Sequence, residues 1–215
     1  MPGLPLSSDA ILPLSTDLVR IVLATRNPGK VAELRALLAD LPVELVSAAD
    51  VDGAPEVEED APTLEGNARK KAEALHRHTG LPALADDTGL EVDALGGAPG
   101  VHSARFAGPD ADAEKNRARL LRDLEGDSDR SARFRTVLAF ADGDDVRFFE
   151  GVCPGSITGA ERGEGGFGYD ALFQPEGETR TFAEMPADAK NAISHRGRAL
   201  EAFAAFLHTY LPQQR

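Results

Sequence analysis

Residues 20–46 read RIVLATRNPGKVAELRALLADLPVELV, and this stretch decides the fold class. Its apolar run at 21–25 is typical of a strand that is buried on both faces. An Asn-Pro-Gly turn follows, after which apolar residues recur at helical spacing over roughly 30–40. Residues 43–46 then have the composition of a second strand. A strand, a turn, a helix and a strand in this order predict an α/β fold with a sheet that is at least partly parallel.

The remaining elements are predicted from the same periodicities and from turn residues. The first half contains a loop at 52–62, a helix capped by Thr63 with Ala68, Ala72 and Leu75 buried, strands at 82–85 and 90–92, and an ordered loop at 96–108. The second half contains a helix capped by Asp110 or Asp112 and ending near Leu124, a hairpin of 134–141 and 146–152, a glycine-rich loop at 163–169, and a last helix with Leu200, Phe203, Phe206 and Leu207 on one face. The region 110–160 is a candidate second lobe.

Length and composition limit the class of protein. The chain has 215 residues, which suits one domain or one domain of two lobes. Because Cys153 is its only cysteine it forms no internal disulfide, and this favours a cytoplasmic location. No run approaches the roughly 18 apolar residues of a membrane span, so we expect no membrane partner. Residues 1–18 lack the basic start of a secretory signal and contain three prolines. We therefore expect a flexible extension at 1–18 and a single two-lobed domain at 19–210.

The charge of the chain restricts its ligands. The formal net charge is −13 and the isoelectric point is near 4.8. Such a chain is repelled by a polyphosphate backbone, which disfavours binding to a nucleic-acid polymer. A small anionic substrate is still compatible, provided that the fold builds a local cationic pocket, a metal site or both.

One candidate for that pocket is the turn at residues 25–30. A Gly-Lys pair between a strand and a helix suggests phosphate binding, because helix-start amides and a lysine both favour anions. The turn is not a Walker A loop, since Ala24 and Val31 stand where that motif needs glycine and a hydroxyl residue. The alternative is a tight turn with a solvated lysine.

Acidic residues form two further candidates. Asp86 and Asp87 follow an apolar run, and alternation along an extended chain prevents both side chains from facing one way. We expect one carboxylate in a cleft, as a magnesium ligand and proton acceptor, and the other on local backbone amides. The alternative is an ordinary Asp-rich turn. A second metal ligand is expected from the acidic loop, whose carboxylates otherwise form solvated surface: Glu56, Glu58, Glu59 and Asp60.

The last candidate group lies near the C-terminus. Glycines flank an aromatic pair at 167–170, and glycine lets a chain approach a flat ring closely, so this segment could stack on a base. Downstream, Lys190, His195 and Arg196 could meet a phosphate or a purine carbonyl. The alternatives are core packing for the aromatic rings and solvent for Lys190.

Together the segments ATRNPGK, ADDTGLEVDALGGAPGVHSARF, GGFGYDALF and ISHRGRAL closely resemble the family of inosine/xanthosine triphosphate pyrophosphatases. The resemblance runs from about Arg20 to Leu207, with the motifs in the family's order and spacing. It implies an α/β fold on a long mixed β-sheet flanked by helices, two lobes with a central active-site cleft, and a homodimer. It further implies hydrolysis of a non-canonical purine nucleoside triphosphate, such as ITP, dITP or XTP, to the monophosphate and pyrophosphate.

The resemblance also implies roles for individual residues. It makes Asp87 the general base and, with Glu59, a ligand of Mg²⁺, and it places Thr88 against the substrate. The other nucleotide contacts are Thr25, Arg26, Asn27, Pro28, Gly29 and Lys30 for the triphosphate, Phe167, Gly168, Tyr169 and Asp170 for one wall of the base pocket, and Lys190, His195 and Arg196. Arg196 is expected to favour the C6 oxygen of hypoxanthine and xanthine over the amine of adenine.

The chain departs from the family pattern at Thr88, in the site, and at Gly66, which lies outside the proposed chemistry. Thr88 replaces the usual serine and keeps the hydroxyl. Gly66 replaces the usual glutamate of the capping box that Thr63 begins, which weakens this helix start by about 1 kcal/mol. Glu65 in the first turn is expected to compensate in part through the helix dipole.

Two other functions remain as alternatives. One is a nucleotide sensor that binds without hydrolysis, against which the intact Lys30, Glu59 and Asp87 argue. The other is a pyrophosphatase of the related septum-inhibitor type that acts on modified or pyrimidine nucleotides. The segments SHRG and GGFGYD argue against it.

Overall fold

The computed structural model describes residues 18–214. The expected extension at 1–18 lies almost wholly outside this range. The strands are β1 (Val19–Leu23), β2 (Val43–Ser47), β3 (Ala83–Val92), β4 (Pro99–Gly100), β5 (Ser131–Asp142), β6 (Asp145–Ile157) and β7 (Phe173–Pro175). The α-helices are α1 (Pro28–Leu37), α2 (Leu64–Thr79), α3 (Ala113–Asp123), α4 (Ala187–Ile193) and α5 (His195–Tyr210).

The strands form one mixed sheet in the order β2-β1-β3-β5-β6-β7, with β4 paired to β3. The pairs β1–β2 and β1–β3 are parallel, and the pairs β3–β5, β5–β6 and β6–β7 are antiparallel. This confirms the predicted mixed α/β class and its partly parallel sheet. The domain bounds of 19–210 and the division into two lobes stay predictions.

Most helix predictions are confirmed, with shifts at their ends. The Asn27 side chain caps α1, which therefore begins two residues before the predicted start. Thr63 caps α2, and the three predicted buried residues of that helix are buried. Of the two aspartates proposed for the cap of α3, Asp112 accepts hydrogen bonds from the amides of Glu114 and Lys115.

The prediction of two strands around Asp86-Asp87-Thr88-Gly89 is wrong, because β3 runs without interruption through these residues. Every residue of β3 pairs in register with β5, from Ala83 opposite Ala141 to Val92 opposite Ala132. Gly89 makes this possible at the β4 side, because a Cβ there would lie 2.7 Å from the carbonyl oxygen of Gly100. The polar residues are tolerated inside a strand since cations from both sides of the sheet meet them, as described below.

The hairpin and the 96–108 loop agree with prediction in kind. β5 and β6 are longer than expected and join at Gly143-Asp144, where Gly143 has φ +60°. The 96–108 segment is ordered and contains β4 and a short 3₁₀ turn at Ser103–Arg105. Between residues 18 and 214 no helix has the length and apolar content that a membrane crossing requires.

Three groups of apolar side chains fix the helices around the sheet. On one face, α1 and α5 pack on Ile21, Leu84 and Phe140. On the opposite face, α2 packs on Ala85 and neighbouring residues of β5. A further core lies under α3 and β7, where the rings of Phe134 and Phe173 meet edge to face at 4.7 Å. The centre of β3 therefore lies between α2 on one side and α1 with α5 on the other.

Candidate active site

The turn between β1 and α1 holds its lysine against a buried acid. Asn27 Oδ1 accepts hydrogen bonds from the amides of Gly29 and Lys30 at 2.9 and 3.3 Å, which fixes the start of α1. Lys30 Nζ lies 2.9 Å from Asp86 Oδ2, and its side chain is 20% exposed. The alternative of a solvated lysine is therefore wrong for Lys30.

Arg26 joins this turn to the acidic loop. Its guanidinium donates a hydrogen bond to the carbonyl oxygen of Ala54 at 2.8 Å and lies 4.0 Å from Glu56. The side chain is about half exposed, so it stays accessible to a ligand in the adjoining cleft.

Asp86 lies on the α1 and α5 face of β3, where two cations bind its carboxylate. Besides Lys30, the guanidinium of Arg196 contacts Asp86 Oδ2 at 3.2 Å. Burial alone would raise the pKa of Asp86, but Lys30 and Arg196 outweigh burial and hold it far below its ordinary value. We expected one of the two acids to accept backbone amides. The structure instead gives both of them side-chain partners.

Asp87 lies on the opposite face and meets α2. Its carboxylate accepts a hydrogen bond from Asn67 Nδ2 at 3.1 Å and lies 3.3 Å from Lys71 Nζ. Burial raises the pKa of Asp87, and the nearby charge of Glu59 acts in the same direction against that of Lys71. Asp87 is thus the more basic of the two neighbouring carboxylates.

The acidic loop sends one carboxylate to the same lysine. Glu59 Oε1 lies 3.2 Å from Lys71 Nζ, whereas Glu56, Glu58 and Asp60 are exposed. Asp60 forms an ion pair with Lys70 instead. The surface interpretation of this loop is therefore right for three of its four acids, and Glu59 is the exception.

Asn67 and Lys71 are site residues that the sequence motifs did not indicate. They are four residues apart on α2 and share its buried face with Ala68, Ala72 and Leu75. The pKa of Lys71 is raised, since the charges of Asp87, Asp86 and Glu59 outweigh the lowering by burial. Their position on the apolar stripe of an amphipathic helix could have indicated them, because an asparagine or a lysine is buried only when it has polar partners.

The glycine-rich loop presents Phe167 beside two of the predicted cations. The Phe167 ring is 42% exposed and lies 5.0 Å from Lys190 Nζ and 5.7 Å from the guanidinium carbon of Arg196. The carboxylate of Asp170 accepts hydrogen bonds from the Phe167 amide and from Lys190 Nζ, both at 2.8 Å. Gly168, with φ +62°, provides the turn after the exposed ring.

Tyr169 departs from the predicted wall of the base pocket. Its ring is buried in the core under α3, and its hydroxyl donates a hydrogen bond to the carbonyl oxygen of Ser103 at 2.9 Å. The core-packing alternative describes this residue, whereas it does not describe Phe167. Gly168, with its positive φ, turns the chain between the two rings, so that one ring enters the core and the other stays at the surface.

Lys190 and Arg196 share Glu33, an acid that the sequence motifs did not indicate. Lys190 is buried, contrary to the solvent alternative, and Glu33 Oε1 lies 3.5 Å from its Nζ. Arg196 donates to Glu33 Oε2 at 2.6 Å and to Thr88 Oγ1 at 3.4 Å. The charges of Asp86 and Glu33 outweigh burial and raise the pKa of Arg196. Glu33 lies one turn after Lys30 on α1 and therefore on the same face of the helix, and this spacing could have indicated that it belongs to the site.

His195 is buried against the core. Its ring stacks on Phe134 with the centroids 4.6 Å apart. Burial and the charges of Arg196 and Lys190 lower the pKa of His195 well below its ordinary value. Among residues 18–214, His195 Nδ1 and Arg196 Nε are buried nitrogens without a hydrogen-bond partner.

A cleft of about 200 Å³ brings part of the predicted site together. Its polar lining comes from the turn at residues 25–30, the acidic loop, α2 and β3: Thr25, Arg26, Lys30, Glu59, Lys71 and Asp86. Phe167, Lys190, His195 and Arg196 do not line this cleft. Asp86 connects the two groups, because Lys30 binds it from the cleft side and Arg196 from the side of α5.

The two faces of β3 differ in charge balance. Around Asp86 there are three carboxylates and three cations: Asp86, Glu33 and Asp170 with Lys30, Lys190 and Arg196. Around Asp87 two carboxylates, Asp87 and Glu59, share the single ammonium of Lys71. One negative charge is therefore uncompensated on the α2 face.

This pair of carboxylates fits a magnesium ion. Mg²⁺ prefers hard oxygen ligands and is usually held by one or two carboxylates, with water and substrate phosphates completing the shell. Within the described part of the chain no group of three acidic, histidine or cysteine side chains is arranged to hold a metal. Glu59 and Asp87 would therefore supply two carboxylates to such an ion and not a complete shell of protein ligands.

The chain is similar in sequence to proteins named dITP/XTP pyrophosphatase. It is 51% identical over 186 residues to the dITP/XTP pyrophosphatase of Geobacter sulfurreducens, covering 85% of this chain and 94% of that protein. It is 49% identical over 200 residues to the dITP/XTP pyrophosphatase of Streptomyces coelicolor, covering 90% of this chain and all of that protein.

Solved structures and a family profile agree with these relatives. A HAM1 protein from Coxiella burnetii superposes with a TM-score of 0.84 at 42% identity, over 89% of this chain and 100% of the other. The nucleoside-triphosphatase / dITP/XTP pyrophosphatase of Mycobacterium abscessus superposes with a TM-score of 0.72 at 45% identity, over 86% and 98%. The profile of the Ham1 family matches residues 21–206. With its fold, its motifs and its relatives in agreement, this chain belongs to the Ham1 family.

Proposed function

We propose that this chain hydrolyses non-canonical purine nucleoside triphosphates, such as ITP, dITP and XTP, to the monophosphate and pyrophosphate. The observation that carries the proposal is the convergence of Lys30, Glu59 and Lys71 on one cleft, with Asp87 behind Lys71. This arrangement suits a polyanionic ligand, since it offers cations for phosphates beside carboxylates for a metal and a proton. The names of the curated relatives support the same substrate class.

Magnesium dependence is part of this proposal. Glu59 and Asp87 would hold the ion, because they share one ammonium and leave a negative charge uncompensated. The ion would neutralise phosphate oxygens in the transition state. Lys71 already holds the two carboxylates close to each other before any ion binds, at 3.2 and 3.3 Å from its Nζ.

The residues of the chain would divide the reaction between them. Lys30 and Arg26 bind the triphosphate from the cleft side. Asp87 accepts a proton from the water that attacks the α-phosphorus, while the bond from that phosphorus to the oxygen bridging the β-phosphate breaks and pyrophosphate leaves. Asp86 is unsuited to that role, because Lys30 and Arg196 both bind its carboxylate and make it a weak proton acceptor.

The base would lie toward the glycine-rich loop. Phe167 has an exposed ring at the edge of the Lys190 and Arg196 cluster, where a purine can stack on it. A base edge would satisfy the two buried nitrogens that lack partners among the described residues, Arg196 Nε as a donor and His195 Nδ1 as a donor or an acceptor according to its tautomer. Selectivity against adenine would follow from the donors of Arg196 near the C6 oxygen.

The proposal extends to location and assembly. We expect a cytoplasmic protein, in keeping with a single cysteine that is buried and carries a pKa raised by burial to about 11. We expect a homodimer on the resemblance alone, which sedimentation or light scattering of the purified chain would test.

The direct test is release of pyrophosphate from ITP, XTP, GTP and ATP, measured with Mg²⁺ and again with EDTA. We expect fast release from ITP and XTP that depends on the metal, and much slower release from GTP and ATP. Equal release from all four would contradict the selectivity. Tight binding of ITP without turnover would contradict hydrolysis and favour the sensor, and preference for pyrimidine nucleotides would favour the septum-inhibitor type.

A further inference from the structure

Thr88 and Thr136 form a hydroxyl pair inside the sheet. They stand directly opposite each other in the register of β3 and β5, and their Oγ1 atoms are 2.6 Å apart. Thr136 is completely buried, whereas Thr88 is partly exposed. Along β3, Thr88 lies on the same face as Asp86, which is one of the residues that line the cleft.

The hydrogen-bond partners determine where each hydroxyl proton points. In the part of the chain that the structure describes, the Thr136 side chain has no partner except Thr88. Either hydroxyl could donate on geometry alone, but a buried proton without an acceptor is unfavourable, and Thr88 Oγ1 is the acceptor within reach of Thr136; the arrangement that satisfies this proton has Thr136 as the donor. Arg196 Nη2 lies 3.4 Å from the same oxygen, and a guanidinium only donates.

Thr88 Oγ1 therefore accepts two hydrogen bonds, one from Thr136 and one from Arg196. A hydroxyl oxygen has two lone pairs, so both are used and the proton of Thr88 is left to donate. That proton points to neither neighbour, and Thr88 is the member of the pair that is partly exposed and contacts Arg196.

We infer that Thr136 is a positioning residue, which makes Thr88 a hydrogen-bond donor toward an acceptor oxygen of the bound nucleotide. This inference rests on the proposed function. Thr136 itself touches no substrate and acts by occupying one lone pair of Thr88. Without the Thr136 hydroxyl, the Thr88 hydroxyl is free to rotate, and its donor is no longer directed.

The test uses isosteric variants of the full chain and the steady-state hydrolysis of ITP. Thr136→Val removes the hydroxyl and keeps the shape of the side chain, Thr136→Ser keeps the hydroxyl, and Thr79→Val removes a hydroxyl that bonds Leu75 at the far end of α2. We expect Thr136→Val to raise KM for ITP about five- to tenfold with kcat nearly unchanged, the size and pattern that one lost ground-state hydrogen bond produces. Thr136→Ser should recover most of the affinity, and Thr79→Val should match the wild type.

A double-mutant cycle separates positioning from packing. If Thr136 acts through Thr88, then Thr136→Val should have no further effect on KM once Thr88→Val is present. Effects that multiply, or a normal KM in Thr136→Val, would overturn the inference. If Thr136→Val does not fold, Thr136→Cys replaces it, because a thiol is a weaker donor and should give an intermediate KM. A folded Thr136→Cys with normal KM would also overturn the inference.

Different results would contradict the proposed hydrolysis and the proposed role of Thr136. A wild-type chain that neither binds nor hydrolyses ITP would contradict the proposed function and, with it, the inference. A wild-type chain that hydrolyses ITP, with Thr136 variants that behave as controls, would contradict the inference alone.

Discussion

Asp86 and Asp87 are adjacent in the chain, but their carboxylates lie on opposite faces of β3 and bind different cations. Asp86 meets Lys30 and Arg196, while Asp87 meets Lys71 and Asn67. The separation follows from the alternation of side chains along a strand. Asp86 therefore belongs to an ion-pair network with balanced charges. Asp87 and Glu59 share one cation, and their group carries one uncompensated negative charge.

The first prediction concerns the lysine that Glu59 and Asp87 share. Lys71→Met should destabilise the protein by about 3 kcal/mol at pH 7, because a buried carboxylate loses its cation. Added Mg²⁺ should raise the melting temperature of this variant more than that of the wild type, since the carboxylates then have no internal cation. Lys70→Met is the matched control, because the partners of Lys70 among residues 18–214 all belong to the exposed acidic loop. An equal magnesium effect in all three proteins would contradict a metal site at Glu59 and Asp87.

The second prediction concerns the proton acceptor. Asp87→Asn should lower turnover of ITP by about 10²- to 10⁴-fold, the usual contribution of a general base, with a far smaller effect on nucleotide binding. Single-turnover rates and equilibrium titration separate the two quantities. Asp144→Asn, at the exposed tip of the hairpin, is the control. Turnover of Asp87→Asn close to that of the wild type would rule out this role.

The third prediction concerns base selectivity. Arg196→Ala should reduce the ratio of kcat/KM for ITP to that for ATP, because the donors expected near the C6 oxygen are lost. Arg198→Ala is the control, since Arg198 is exposed and bonds the carbonyl of Val152 instead. An unchanged ratio in Arg196→Ala would show that another residue reads the base.

The fourth prediction is a pH dependence of stability caused by His195. Its folded pKa is depressed below the unfolded value of about 6.5, so the folded state binds fewer protons than the unfolded state below that pH. The stabilisation is complete above pH 6.5 and is lost as the pH falls toward the folded pKa, at up to about 1.4 kcal/mol per pH unit. The free energy of unfolding, measured with urea between pH 7.5 and about 5.5, should fall less steeply with decreasing pH in His195→Gln than in the wild type. Equal pH dependence in the two proteins would mean that His195 accepts no extra proton on unfolding.

The fifth prediction explains why glycine stands at the third position of α2. A Cβ on Gly66 would lie 2.7 Å from the Cβ of Ala61, so the usual larger residue does not fit this loop. Gly66→Ala should therefore lower the melting temperature despite the helix propensity of alanine. In an Ala61→Gly background the contact is absent, and the same change should stabilise by about 1 kcal/mol. Stabilisation in both backgrounds would contradict the steric explanation.

Glu65 shows how a local expectation can be incomplete. We expected it to support the start of α2 through the helix dipole, and the structure also pairs it with Arg135 of β5. Burial would raise the pKa of Glu65, but backbone amides and Arg135 lower it. The partner lies 70 residues away in the chain, so no local pattern indicates it.

Local patterns of the sequence determined most of the elements, the cap of Thr63 and the turn at residues 25–30. A cap depends on backbone amides two or three residues away, so Thr63 was identified and Asp112 was one of two candidates, whereas Asn27 was assigned to a turn and its cap was not identified. Glu59 was singled out by the resemblance, and the structure distinguishes it from the exposed acids beside it.

Only the tertiary structure decided which polar residues share an environment. Lys71 reaches Asp87 because α2 packs on one face of the sheet, and Glu33 reaches Arg196 because α1 and α5 pack on the other. Thr136 meets Thr88, 48 residues away, because of the register of β5 on β3, and a shift of one residue would turn its hydroxyl to the opposite face. Register and helix packing depend on the summed burial of many side chains, and for that reason the partners of these polar residues cannot be read from the residues themselves.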